Sequence, residues 1–200
     1  MPRTTLALML VALTALSYGC DDSAPMMAET NPIDTPTTLD RVALPGSGTV
    51  LRLLGDAVAY DGTVADIDGD GADDPAMCFD VDLLDATGRV IGTATDCLSD
   101  ITSVGDGLAL VGTTTFRLNN GTFTSRGHTT VQPVTTSEPT PVTHTTGAIP
   151  MDGDNGVVSG GGAYDGFRAQ VRLSGAVNLS QLESQGRIAF DCLFAIEPLR

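Results

Sequence analysis

The chain has 200 residues, a net charge of −15 and a pI near 4.1. All ten basic residues are arginine, and there is neither lysine nor tryptophan. A surface this acidic repels phosphate backbones and anionic lipid, which excludes nucleic-acid binding and attachment to membranes through a basic patch.

The chain opens with Met1-Pro2-Arg3-Thr4-Thr5, one positive side chain beside the amino terminus, followed by an apolar run from Leu6 to Leu16. That run is too short to span a bilayer core, which takes about 20 helical residues, and behind a basic start it reads as a signal peptide over residues 1–19. Leu16-Ser17-Tyr18-Gly19-Cys20 resembles a bacterial lipobox, with a small residue before a cysteine that is lipidated and becomes N-terminal. Gly19 fits this pattern, whereas Ser17 and Tyr18 depart from it. Acylation of Cys20 would anchor the protein to the envelope membrane, facing periplasm or exterior; the competing reading is a plain cleaved signal. Residues 20–40 are rich in Pro, Thr and acids without apolar period, which makes them a flexible tether reaching roughly 25 Å.

From residue 41 to 200 a single domain is expected. Turn signals recur at Pro45-Gly46, Asp61-Gly62, Asp85-Ala86-Thr87-Gly88, Asn119-Asn120-Gly121 and Gly160-Gly161-Gly162. Between them, strands are predicted at Thr49–Gly55, Val58–Ala65, Ala76–Leu84, Arg89–Cys97, Leu108–Leu118, Thr122–Val134, Arg168–Asn178 and Arg187–Glu197, an all-β sandwich or barrel. Two of them alternate cleanly. Met77, Phe79, Val81 and Leu83 oppose Asp80 and Asp82; Ile188, Phe190, Cys192, Phe194 and Ile196 oppose Arg187, Asp191 and Glu197. The stretch around His144 reads as a loop.

Asp66-Ile67-Asp68-Gly69-Asp70-Gly71-Ala72-Asp73-Asp74 has the spacing of a calcium loop. Asp66, Asp68 and Asp70 would converge on one hard cation, Gly71 would permit the sharp turn, and Asp74 would reach it through water. The bidentate Glu of a complete loop is missing, its place being taken by Met77. A calcium site and a plain acidic hairpin loop both remain open, and no cofactor is required.

With Cys20 set aside, Cys78, Cys97 and Cys192 remain. A two-residue turn at Thr87-Gly88 would put Cys78 opposite Cys97 on the polar face with Asp80, and a disulfide there would pin the hairpin. Cys192 lies on an apolar face and reads as a buried, inert thiol. Neither His128 nor His144 belongs to a metal or triad signature, and no phosphate-binding or nucleophile-elbow motif is present.

Phe79 to Thr93 with Asp96-Cys97, taken with Thr146-Gly147-Ala148-Ile149 and the run Gly160-Gly161-Gly162-Ala163-Tyr164-Asp165-Gly166-Phe167-Arg168-Ala169, resembles the barrel family of allene oxide cyclases, dirigent proteins and their bacterial relatives. The resemblance covers about residues 48–198. Phe167 and Ala169 depart from the alanine and glycine usual there. The resemblance implies one antiparallel eight-stranded β-barrel with a mostly apolar lumen, an isomerase- or cyclase-type activity in some members, and dimers or trimers in some. Tyr164 and Arg168 are the polar residues it nominates for ligand binding, against a plain reading of Tyr164 as packing and Arg168 as solvated; a catalytic set is unknown. The function expected is binding, with cyclisation or steering as an extension, of a small hydrophobic molecule. The alternative is a structural or interaction module with a lumen filled by Met77, Phe79, Phe190 and Phe194, stiffened by calcium.

Overall fold

The computed structural model describes residues 48–136, 140–148 and 155–199. The signal segment, Cys20 and the tether lie outside the described residues. In chain order the strands are β1 (Thr49–Val58), β2 (Tyr60–Val64), β3 (Asp74–Leu84), β4 (Val90–Val104), β5 (Gly107–Leu118), β6 (Gly121–Pro133), β7 (His144–Ala148), β8 (Gly156–Gly162), β9 (Ala169–Asn178) and β10 (Arg187–Pro198). A single turn of helix, α1 (Leu182–Gln185), precedes β10.

All pairings are antiparallel, and β1 meets β10 on one side and the end of β3 on the other, so the sheet closes on itself. β1 and β2 are two parts of one stave, interrupted at Ala59. β7 and β8 share another stave between β6 and β9. The result is a closed antiparallel barrel of eight staves, as expected. The expected strands reach the same count by a different route, because they divide the first stave in two and omit the β7/β8 stave. The sequences HTTGA and GVVSGGG carry no apolar alternation. Their strand conformation comes from neighbours that supply ladder partners on both sides.

The two alternating segments face as expected. Phe79, Val81 and Leu83 of β3 are buried, as are Ile188, Phe190, Cys192, Phe194 and Ile196 of β10, while Asp80 and Asp82 are exposed. One end of the lumen is closed by aromatic rings. Phe116 stacks on Phe123 with centroids 4.7 Å apart and meets Phe194 edge-on at 5.2 Å. Tyr164 and Phe167, from the β8–β9 turn, close over Phe123 at 5.1 and 5.8 Å. Each such pair contributes about 0.5–1.5 kcal/mol beyond the area it buries.

The β3–β4 turn corrects one premise of the sequence reading. Gly88 donates to the Asp85 carbonyl and Asp85 to the Arg89 carbonyl, with Gly88 at φ +81°. This is a three-residue connection rather than a two-residue turn. A bulge then shifts the register between Leu84↔Val90 and Leu83↔Gly92. The two offsets cancel, so Cys78 still stands opposite Cys97.

Candidate functional site

Cys97 points to the outer face of β4, so the residues one step away, Asp96 and Leu98, point inward by the period of the strand. Asp96 lies opposite Phe79 on β3 and Thr114 on β5, and Thr114 lies opposite Ser125 on β6. A polar band therefore crosses one wall of the lumen. Thr129 extends it upward, sharing a hydrogen bond with Thr146 of β7 at 3.2 Å and donating to the Gly147 carbonyl at 2.8 Å. The opposite wall is apolar, made by Val171, Val177, Ile188, Phe190 and Phe194. Between the walls, above the aromatic end, is a cavity of about 100 Å³.

Its lining includes Ser125, Gly127 and Thr129, which face inward on β6, but also Arg126 and His128, which alternate with them and belong to the outer face. Beside β6 at this level the stave passes from β7, which ends at Ala148, to β8, which begins at Gly156. Asn155 directly precedes β8, its Oδ1 accepting the His128 backbone N–H at 2.8 Å. A Cβ on Gly127 would collide with that same Asn155 side chain, so the glycine makes room for it.

Asp96 is the only carboxyl lining the cavity among the described residues. Thr114 Oγ1 donates to its Oδ1 at 2.7 Å. Burial pushes the Asp96 carboxyl up to about 6, and the Thr114 hydrogen bond opposes this rise in part. The side chain retains some accessible surface, consistent with its place on the cavity lining. Cys192 shares the cavity, and its thiol is pushed up to about 12, first by burial and then by the Asp96 charge. A thiol held protonated in this way is a poor nucleophile, in keeping with the inert reading.

Tyr164 and Arg168 are not among the lining residues. Tyr164 is buried in the aromatic end, where burial raises its pKa. Asn120 lies near enough to oppose that rise in part, while the hydroxyl has no partner in hydrogen-bond geometry among the described residues. Arg168 is exposed, and its carbonyl accepts the Leu199 N–H at 2.9 Å. Both positions match the plain reading of these residues. His144 opens β7, its Nδ1 2.8 Å from Thr143 Oγ1.

The acidic loop lies on the outer wall. Arg126 straps it there, donating to the Ala65 carbonyl at 2.6 Å and the Asp66 carbonyl at 3.3 Å. Beneath it, Val64, Ile67 and Ala76 pack over the Cys78–Cys97 disulfide. Carboxylate oxygens of Asp66, Asp68 and Asp74 gather within 4.8 Å of one another. Asp70 is outside that group, its Oδ1 accepting the Ala72 N–H at 2.8 Å. Asp66 accepts from Gly69 and Gly71, and Asp74 from Ile67. Gly71, at φ +90°, makes the turn expected of it. Calcium takes roughly six to eight oxygens, so the three carboxylates fit it in part, with carbonyls and water needed to complete the shell.

Sequence reasoning did not single out Asp96, although a signal was present. Placing Cys97 on the outer face already commits Asp96 to the lumen, in phase with Ala94 and Leu98. The fold and cavity define a class: a closed β-barrel whose lumen is closed at one end by aromatic rings and holds a small cavity above them. No family model matches the chain, and no curated protein matches it.

Proposed function

We propose that this is an exported envelope lipoprotein, anchored through Cys20, whose barrel holds a small hydrophobic molecule in its lumen. The observation that carries the reading is the cavity between the polar band and the apolar wall. Pockets of this composition, mostly apolar with a few convergent polar groups, are the usual form of small-molecule sites. The Cys78–Cys97 disulfide supports export, because such bonds persist in oxidising compartments. Cyclisation or steering of the bound molecule, and membership of the allene oxide cyclase and dirigent barrels, rest on the two resembling segments alone.

The second reading is a non-enzymatic envelope module stiffened by calcium, favoured by the convergence of Asp66, Asp68 and Asp74. Native mass spectrometry on the full processed chain, after exposure to a bacterial lipid extract with calcium or with chelator, separates the two. A retained organic mass supports the ligand reading and gives its size. A protein that emerges bare of organic mass and gains only calcium sinks it in favour of the module.

A further inference from the structure

Asp96 has an incomplete set of partners. Thr114 serves Oδ1, while among the described residues none donates to Oδ2 and no cation pairs with the carboxylate. Arg126, the one arginine among the described lining residues, spends its donors on Thr113, Ala65 and Asp66 outside the wall. The second oxygen of this carboxyl is therefore free to accept a hydrogen bond from whatever enters the cavity, and a donor there gains a charge-assisted bond.

Size narrows the candidates. A dry cavity of about 150 Å³ accommodates benzene, so a cavity of about 100 Å³ sets an upper limit near a single ring or a short branched chain and excludes a long acyl chain. Charge narrows them further, since a carboxylate ligand would set like charges together in a low-dielectric space. Resting on the ligand-binding reading above, we propose that the lumen selects a ring-sized apolar molecule bearing one hydrogen-bond donor, a hydroxyl or an ammonium, which donates to Asp96 while its carbon body lies against Val171, Ile188 and Phe190.

The test measures dissociation constants of the full chain for four one-ring probes: toluene, 4-methylphenol, benzylamine and benzoate. The wild type should bind 4-methylphenol or benzylamine about tenfold tighter than toluene, as a hydrogen bond to a charged group allows, and should reject benzoate. Asp96→Asn should bring the favoured donor to within about threefold of toluene and leave toluene itself unchanged. Preference for benzylamine assigns an ammonium ligand, and preference for 4-methylphenol a hydroxyl. Donor probes that bind no better than toluene, or that are indifferent to Asp96→Asn, overturn this inference while toluene binding keeps the ligand reading. Failure of every probe overturns both. Should Asp96→Asn not fold, the carboxyl ¹³C resonance of Asp96 in the wild type decides: it must move with the favoured donor and not with toluene, and any other result overturns the proposal.

Discussion

Cys78 and Cys97 face each other across the β3–β4 pair and are joined as a disulfide, their Cα atoms 4.0 Å apart. The bond closes a hairpin of sequence separation 19 and lies beneath Val64 and Ile67. Cross-linking a loop of this length stabilises by about 2–3 kcal/mol, mainly by restricting the unfolded chain. The double substitution Cys78→Ala with Cys97→Ala should lose that much in urea denaturation. Reductant should bring the wild type down to the double variant without affecting the variant itself.

Asp96 sets a pH dependence whose sign is fixed by its raised pKa. A carboxyl that holds its proton more tightly when folded stabilises the fold fully below about pH 4, and that contribution is lost as pH rises through about 6. Cys192, its titratable neighbour in the cavity, stays neutral throughout this window. After allowance for screening by water in the cavity, the swing is about 1–2 kcal/mol. Asp96→Asn should therefore gain on the wild type between pH 4 and pH 7 in paired denaturation curves. Parallel curves across that range would show that Asp96 is solvated like a surface carboxylate.

The two ends of the lumen should respond differently to truncation. Phe116 is fully buried against Phe123 and Phe194, so Phe116→Ala should cost about 3–5 kcal/mol. Phe190 packs edge-on to Phe79 at 5.4 Å and also lines the cavity. Phe190→Ala should cost a similar amount but also enlarge the cavity, so that naphthalene binds the variant and not the wild type. Equal naphthalene binding to Phe116→Ala would mean that the aromatic end and the cavity are one space.

On the calcium reading, the ion at a tenfold excess over its dissociation constant should stabilise the fold by about 1.4 kcal/mol, read as a rise in melting temperature; no rise would sink that reading. Asp66→Asn and Asp74→Asn should abolish the rise. Asp70→Asn should keep most of it, because that carboxylate caps the Ala72 N–H and stands apart from the cluster. Equal loss in all three variants would place Asp70 among the ligands.

Gly160 carries a constraint of packing rather than of turn geometry. A Cβ at this position would overlap the Tyr164 carbonyl oxygen, a backbone atom that cannot swing aside. Gly160→Ala should lower the melting temperature by several degrees, whereas Gly161→Ala, whose Cβ would meet only the Thr122 hydroxyl at 3.6 Å, should be nearly neutral.

Much of the wall was legible in the amino-acid order. The period-2 runs of β3 and β10 assigned Phe79, Val81, Phe190 and Phe194 to the interior because each strand carries its own inside and outside. The same local logic placed Cys78 opposite Cys97, although the turn behind that placement was misjudged and a compensating bulge preserved it. The spacing of the acidic loop announced a convergence of Asp66, Asp68 and Asp70; Asp66 and Asp68 do gather, but with Asp74, while Asp70 turns to the Ala72 N–H.

Closure was decided elsewhere. β7 and β8 are strands because β6 and β9 offer them ladder partners, and nothing in HTTGA or GVVSGGG demands it. The cavity depends on where side chains from distant strands fail to meet. Phe116, Phe123 and Phe194 fill one end, while Asp96, Thr114 and Ser125 offer shorter side chains to the space above them. Periodicity tells a residue which face it occupies. Whether that face meets a ring, a void or a second hydrogen-bond partner is settled only when the last strand closes on the first, because those distances belong to pairs far apart in the chain.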